Sequence, residues 1–201
     1  DPHGSIVSKI SYETDEKGNS IVQNFHNSNG SLIGKNKNKF DNSGNLIESC
    51  RYDSIGILQN KSSFNYDKNN YQTEVCNYNL DGSISGKSAY KYDNEGNKTE
   101  SSDLNSECKL DEKITYKYDK NGKIVEEKRV DYTYSYKYDD SGNILEESRT
   151  NQLGSIEFKA SYNYDRFDKN GNWLKQICRR ESEKQLQSPP ITMIEREIEY
   201  Y

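Results

Sequence analysis

Along this chain, apolar and aromatic residues alternate with polar ones over short runs, and most runs stop at an Asp or Asn that has a Gly three places further on. Alternation with period two marks a half-buried β-strand. Asp or Asn at the first position of a type I turn bonds its side chain back to the backbone, and Gly at the fourth takes the left-handed conformation without steric cost. The segment from Tyr90 to Glu100, YKYDNEGNKTE, is the clearest example. First-to-fourth pairs recur at Asp15/Gly18, Asn27/Gly30, Asp41/Gly44, Asp53/Gly56, Asp67/Asn70, Asn79/Gly82, Asp93/Gly96, Asn105/Cys108 and Asp119/Gly122, in steps alternating between 12 and 14 residues. The sum is a strict 26-residue repeat, marked by Gly18, Gly44, Asn70, Gly96 and Gly122. Asn70 fits, because Asn is the non-glycine residue that best tolerates the left-handed region. Cys108 is the weak member, and a distorted turn is expected there.

After Gly122 the register slips. A turn is due at Asp131, where VDYT has no Gly, and the next clear pair, Asp139/Gly142, comes six residues early; a shortened hairpin accounts for both. Asn151/Gly154 restores the 12-residue step, and a three-residue insertion, Arg166 to Asp168, moves the following turn to Asp168/Gly171. Turns at this spacing leave no room for crossovers, so consecutive strands are antiparallel neighbours. The expected fold is an all-β antiparallel β-meander of about 14 strands built from 26-residue double-hairpin repeats. The strands are expected near residues 6–14, 19–26, 31–40, 45–52, 57–66, 71–78, 83–92, 97–104, 109–118, 123–130, 132–138, 143–150, 155–164 and 172–180. Residues 1–5, DPHGS, stand outside the repeat and are set aside as a leader or cloning remnant; the repeats cover 6–180. Residues 181–190 form a linker closed by two prolines, and 191–201 alternate as a C-terminal strand. So many strands closed into a cylinder would enclose a lumen too wide for side chains to fill. A curled open sheet is therefore expected, with its tyrosines on the concave side and the last strand covering an edge. A closed barrel or two packed layers are the alternatives.

Within the strands, Phe64 and Tyr66, Tyr90 and Tyr92, Tyr116 and Tyr118, Tyr136 and Tyr138, and Tyr162 and Tyr164 each put two rings on one side. Cys50 with Tyr52, and Cys76 with Tyr78, take matching places on intervening strands, so an aromatic ladder across the sheet is expected. Its rings are either packing or a stacking platform for sugar rings or an extended partner. The candidate binding face is Tyr66, Tyr90, Tyr92, Tyr116, Tyr118, Tyr136, Tyr138, Tyr162 and Tyr164. The structural turn positions are Gly18, Gly44, Asn70, Gly96, Gly122, Gly142 and Gly171.

Composition narrows this picture. Only 30% of the 201 residues are hydrophobic, yet 17 tyrosines and 13 glycines at regular places are not the mark of a disordered chain. The core is thin, made of tyrosine faces and lysine stems. The net charge of −5 is spread with both signs interleaved, which argues against a nucleic-acid partner. No apolar run is long enough for a membrane-spanning helix. Cys50, Cys76, Cys108 and Cys178 have no metal-ligand spacing. Cys50 and Cys76 lie two strands apart, about 9 to 10 Å, too far for a disulfide, and are expected as reduced core residues. The two histidines, His3 and His26, support neither a triad nor a metal site, and Gly three places after Asp fits turn chemistry better than a calcium loop. Adjacent carboxylates such as Glu146/Glu147 and Asp139/Asp140 fall on opposite faces of a strand and make no acid/base pair. Neither catalysis nor a cofactor is expected.

The recurring Y-x-YD-x-x-GN resembles the YD repeat of the RHS family, over roughly residues 6–175. That family includes bacterial polymorphic toxins, toxin-complex shell proteins and animal teneurins. The resemblance implies hairpins wound into a spiralling antiparallel sheet, which in some members forms a hollow shell and in some contacts carbohydrate or receptors. Departures are equally plain: the chain is too short for a closed cocoon, and no downstream segment carries the family's self-cleaving aspartates. Asp1-Pro2-His3-Gly4 resembles part of that segment but precedes the repeats. The ending, GNW at Gly171 to Trp173 followed by a gap and REIEYY, is similar to small exported repeat proteins of Bacteroidetes. These likenesses imply an exported protein, outside the cell, at its surface or in the periplasm. Two functions are expected of such a chain: a binding or adhesion module for carbohydrate or protein, or a shell or scaffold fragment with no ligand of its own. Pairing through sheet edges into an oligomer is compatible with either.

Overall fold

The computed structural model describes residues 8–182 and 191–198. The expected leader lies outside the described residues, as does most of the expected linker. Fifteen strands follow the chain: β1 (Ser8–Thr14), β2 (Ser20–Asn27), β3 (Leu32–Phe40), β4 (Leu46–Asp53), β5 (Leu58–Tyr66), β6 (Gln72–Tyr78), β7 (Ile84–Tyr92), β8 (Lys98–Leu104), β9 (Leu110–Tyr118), β10 (Ile124–Lys128), β11 (Tyr132–Tyr138), β12 (Ile144–Asn151), β13 (Ile156–Phe167), β14 (Trp173–Ser182) and β15 (Ile191–Glu195). They run in chain order through one hydrogen-bonded sheet, and every described pairing is antiparallel. The order has two ends, β1 and β15, so the sheet is open and not a barrel. The described residues contain no helix.

The chain divides into two compact units, Asp1–Lys113 and Ile114–Tyr201. In the first, hairpin follows hairpin in an unbroken 26-residue rhythm. The turn at residues 41–45 shows the device. Gly44 N–H donates to Asp41 O at 3.2 Å and Asp41 N–H to Asn45 O at 2.9 Å, a type I turn closed by a left-handed residue, with φ of 87° at Gly44. The Asp41 carboxylate locks it: Oδ1 accepts the N–H groups of Ser43 (2.8 Å) and Asn45 (2.9 Å), and Oδ2 accepts the Asn45 side-chain amide (3.0 Å). The Asn that follows Gly in the motif therefore cross-links the turn, as Asn19, Asn97, Asn143 and Asn172 also do. The bonds from Asn45 and its backbone hold the Asp41 carboxyl below its usual range. A single-residue slip in register accompanies the turn, for example between Lys39↔Glu48 and Phe40↔Leu46; a bulge of this kind adds local twist.

The left-handed residue is present at all the expected turn positions, including Asn70 at φ 65°. The expectation of a distorted turn at Cys108 is corrected: Cys108 takes φ 57°, its N–H reaches Asn105 O at 2.9 Å, and Asn105 N–H reaches Lys109 O at 3.0 Å. The side chain of Asn105 still accepts from Glu107 and Lys109, so the lock holds the turn while Cys108 bears the left-handed strain.

The second unit departs from the rhythm where expected. The hairpin between β10 and β11 is cut to a two-residue loop, Val130 and Asp131, with Arg129 N–H donating to Tyr132 O at 2.9 Å. Strand β10 accordingly stops at Lys128, two residues short of the expected end. The insertion lengthens β13 to Phe167; the working turn is at residues 168–172, and Arg166 sits in the strand with φ 55°. Unlike the other hairpins closed by this turn, β13 and β14 keep one register: Arg166 and Leu174 are both skipped between Asp165↔Lys175 and Phe167↔Trp173, so the two strands stay matched. Arg166 also ion-pairs with Glu195 of β15 at 2.6 Å, and the Arg196 guanidinium lies 3.7 Å over the Trp173 ring.

A single sheet has no second layer to bury its faces. Among the described residues only Cys50, Cys76, Ile114, Ala160 and Cys178 are buried hydrophobic residues, and most tyrosines are half-buried.

Candidate functional site

Paired residues of an antiparallel ladder share a face, so the register sorts the side chains. In the first unit Phe64 pairs with Val75 and Val75 with Ser88, which puts Phe64, Tyr66, Tyr90 and Tyr92 on one face. In the second unit Tyr116 pairs with Glu127, Glu127 with Tyr134, and Tyr136 with Glu147, which pairs with Ala160. One face there carries Tyr116, Tyr118, Tyr136, Tyr138, Tyr162 and Tyr164. Within each unit, the structure brings the expected tyrosines together.

The ladder is not continuous, however. Cys50 pairs with Lys61, and Ser63 with Cys76, so Cys50, Tyr52, Cys76 and Tyr78 lie on the opposite face. The bulge beside such a turn shifts the alternation by one residue, which a count from turn to turn does not see. Cys178 alone joins the tyrosine face, opposite Tyr162. All four described cysteines are free, and only Cys108 is exposed.

On the tyrosine face the second ring of each Y-x-YD acts as a strut. Tyr66 Oη–H donates to Leu46 O (2.9 Å), Tyr92 to Gln72 O (2.8 Å), Tyr138 to Ile124 O (2.8 Å) and Tyr164 to Ile144 O (2.8 Å). Each ring thus fastens its strand to the first residue of the preceding strand. Burial raises the phenol pKa of Tyr92, Tyr138 and Tyr164. The first ring is used differently: Lys98 Nζ lies 4.3 Å over Tyr90, and Tyr162 donates to Glu147 at 2.6 Å. Burial and that carboxylate push the Tyr162 phenol up.

The opposite face is ionic. Glu48 is held by Lys39 (2.7 Å) and Lys61 (2.9 Å), Glu100 by Lys91 (3.1 Å) and Lys113 (2.8 Å), and Glu146 by Lys137 (2.9 Å) and Lys159 (2.9 Å). Lys39 and then Lys61 hold the Glu48 carboxyl below its usual range. Glu146 and Glu147 do face opposite ways, one to lysines and one to Tyr162. Asp139 and Asp140 differ from expectation: both stand in the turn, where Asp139 is the locking carboxylate.

Tyr132 and Tyr134 escaped the sequence reading, which took only the two rings next to each turn. They precede Tyr136 on β11, with ring centroids 5.3 Å and then 6.4 Å apart. The signal was present as four tyrosines at alternate positions, 132 to 138. Arg129 and Arg149 lie within 5.9 Å and 5.7 Å of the Tyr132 ring. Beside them the shortened hairpin leaves a notch of about 350 Å³, lined by Lys128, Val130, Tyr132, Thr133, Thr150 and Gln152 among others. Among the described residues no group of three His, Cys, Asp or Glu side chains is placed to hold a metal ion.

No family model and no curated protein matches the chain. Several solved structures are similar in the course of their chains. A chain of the TcdB2-TccC3-Cdc42 crystal structure is 14% identical with a TM-score of 0.49, and so is one of TcdB2-TccC3 without its hypervariable C-terminal region. Both alignments cover 92% of this chain and 12% of the other, so the chain spans a small part of the length of those proteins. A porin-like protein from Bacteroides uniformis is 11% identical with a TM-score of 0.45, covering 92% of this chain and 86% of its own. Likeness at this level assigns neither a family nor an activity.

Proposed function

We propose that the chain is a non-enzymatic, exported structural module, a length of sheet wall of the kind that YD-repeat proteins build, with other protein segments as its partners. The observation that carries this reading is the repeated strut at Tyr66, Tyr92, Tyr138 and Tyr164. A phenol bonded to a backbone carbonyl has spent the polar end that would give a ligand its orientation, and four such bonds along the chain are fastenings. One set of variants tests it. Tyr66→Phe, Tyr92→Phe and Tyr164→Phe should lower thermal stability by similar amounts, while glycan and protein arrays should show no binding that depends on Tyr90 or Tyr92. Array binding lost in a folded Tyr90→Ala variant would overturn the structural reading.

One observation favours a second reading, a binding module for carbohydrate or protein. Tyr132, Tyr134 and Tyr136 succeed one another in ring contact and are only half-buried, the arrangement a sugar ring or an extended peptide would use. Array binding abolished by Tyr134→Ala, with an unchanged circular dichroism spectrum, would establish it.

A further inference from the structure

The ionic face follows a rule. Glu48, Glu74, Glu100 and Glu146 each receive a lysine thirteen residues later, on the next strand: Lys61, Lys87, Lys113 and Lys159. Glu126 breaks it. In the shortened hairpin Glu126 pairs with Ser135, so the place of that lysine, two residues back along β11, is taken by Thr133. An ammonium is present instead at Lys128, two residues after Glu126, where the corresponding strands carry Cys50, Cys76, Ser102 and Ser148. The cation has moved from one strand to its neighbour and lost its carboxylate on the way.

The charges around Lys128 are accounted for. Glu126, on the same face, is held by Lys117 at 2.9 Å. Glu127 projects to the other face and ion-pairs with Arg129 at 2.8 Å. Asp131 accepts from the Gln152 amide at 3.2 Å, and the same amide caps Val130 O at 2.9 Å. Across the ladder Lys128 faces Thr115 on one side and Thr133 on the other. Lys128 and Thr133 both line the notch, whose remaining wall includes Arg129, held by Glu127, the exposed Val130 and residues Tyr132 and Thr150. Among the described residues no ion pair reaches Lys128.

We propose that this notch is a binding site for a carboxylate, carried by a small organic acid or by an Asp or Glu side chain of a partner. Lys128 supplies the counter-charge and the Thr133 hydroxyl a donor, while the exposed Val130 packs the carbon skeleton. One uncompensated cation matches a monoanion; a phosphate dianion would leave excess negative charge beside Asp131 and Glu126. A volume of about 350 Å³ admits a ligand of a few carbons, not a chain segment. The proposal goes beyond the structural-module reading and is independent of it, since neither its residues nor its readout involves the tyrosine struts.

Amide chemical shifts of the full chain at low salt, titrated with acetate, lactate, a blocked Gly-Glu-Gly peptide, its Gly-Gln-Gly counterpart and inorganic phosphate, test it. Perturbations clustered at Thr133, Thr150 and Gln152, with millimolar affinity for the carboxylates and none for the Gln peptide, are expected. Lys128→Ala should weaken binding about five-fold and Lys128→Arg restore most of it; both changes are on the surface and leave the fold intact. Tighter binding of the Glu peptide assigns the site to a protein partner, and tighter binding of lactate to a free acid; either supports a carboxylate site. Equal shifts with the Gln peptide, affinity unchanged by Lys128→Ala, stronger binding of phosphate, or no localised shifts at tens of millimolar would each overturn it.

Discussion

From Asp15 to Lys109 every hairpin closes on the same locked turn, with Gly, Asn or Cys in the left-handed place. In the second unit one hairpin loses six residues and another gains three, and the chain answers each change locally. The short hairpin keeps its strut, since Tyr138 still reaches the Ile124 carbonyl at 2.8 Å although the donor is now 14 residues from the acceptor, against 20 for Tyr92 and Gln72. What it loses is ionic: among the described residues Glu126 is held by one lysine where Glu100 is held by two. The difference teaches that turn lock and strut define the repeat, while the lysine ladder is an addition that can be given up.

The largest expected effect comes from the turn glycines. At Gly96 a Cβ would collide with the Tyr71 hydroxyl, on a ring stacked 5.0 Å from Tyr92; at Gly142 it would meet only the flexible end of Lys123; at Gly56 it would meet nothing within 4 Å. All three have φ between 83° and 88°. Gly96→Val should therefore cost about 2 to 4 kcal/mol, Gly142→Ala about 1 to 2 and Gly56→Ala about 1, measured by urea unfolding. Equal losses at the three sites would mean that strain alone acts and that the stacking of successive turns has no energetic content.

Next in size is the strut. Tyr92→Phe and Tyr138→Phe each remove one hydrogen bond to a backbone carbonyl, and each should cost about 1 kcal/mol. A clearly smaller loss for Tyr138→Phe would show that the shortened hairpin has relaxed the fastening, contrary to the comparison.

The turns were legible in the sequence because their chemistry is local: an Asx side chain, a left-handed residue and four positions suffice to specify them. That locality placed most strands within one or two residues and located both breaks in the period; the exceptions are β13, which runs three residues past the expected end at 164, and β15, expected over 191–201 but ending at Glu195. The sorting of side chains between faces was not legible in the same way. It depends on the bulges beside the turns, such as the slip between Lys91↔Glu100 and Tyr92↔Lys98, which carry no residue signature. The count from Tyr92 to Cys76 or Tyr78 therefore predicted one aromatic ladder where there are two faces of different chemistry. The notch was hidden for a related reason. Thr133 and Lys128 are ordinary surface residues until register shows that Thr133 stands where the other repeats carry a lysine and Lys128 where they carry Cys or Ser.

Cys108 tests how far a turn lock carries a poor residue. A non-glycine side chain at φ 57° costs about 1 kcal/mol, so Cys108→Gly should raise stability by about that amount, whereas Asn70→Gly should change it less because Asn tolerates the left-handed region. No gain from Cys108→Gly would mean that the strain is offset by contacts of the thiol.

The smallest effect concerns the ladder, and pH gives it a sign. Lys39 first and Lys61 second lower the folded-state pKa of Glu48 beneath its ordinary value of 4.5. A carboxylate so shifted contributes stability that is fully present above the ordinary value and is lost as pH falls through the folded pKa. The same pairs raise the folded pKa of Lys39 and Lys61 above 10.5, so their contribution is present below that value and is lost as pH rises through the raised pKa. Between these limits the ladder contributes a constant amount, modest because the lysine ends are open to water. Glu48→Gln should thus lower stability at neutral pH and bring the variant and the parent together in acid. Glu126, with its second lysine place held by Thr133, allows the converse experiment. Thr133→Lys restores the partner that the short hairpin removed, and should raise stability at neutral pH by a small amount that vanishes as the carboxylates are protonated. It should also weaken carboxylate binding at the notch, because the Thr133 hydroxyl that donates to the ligand is removed while the new ammonium is held by Glu126. A gain that persists in acid would show that the added side chain acts through its carbon stem and not through Glu126.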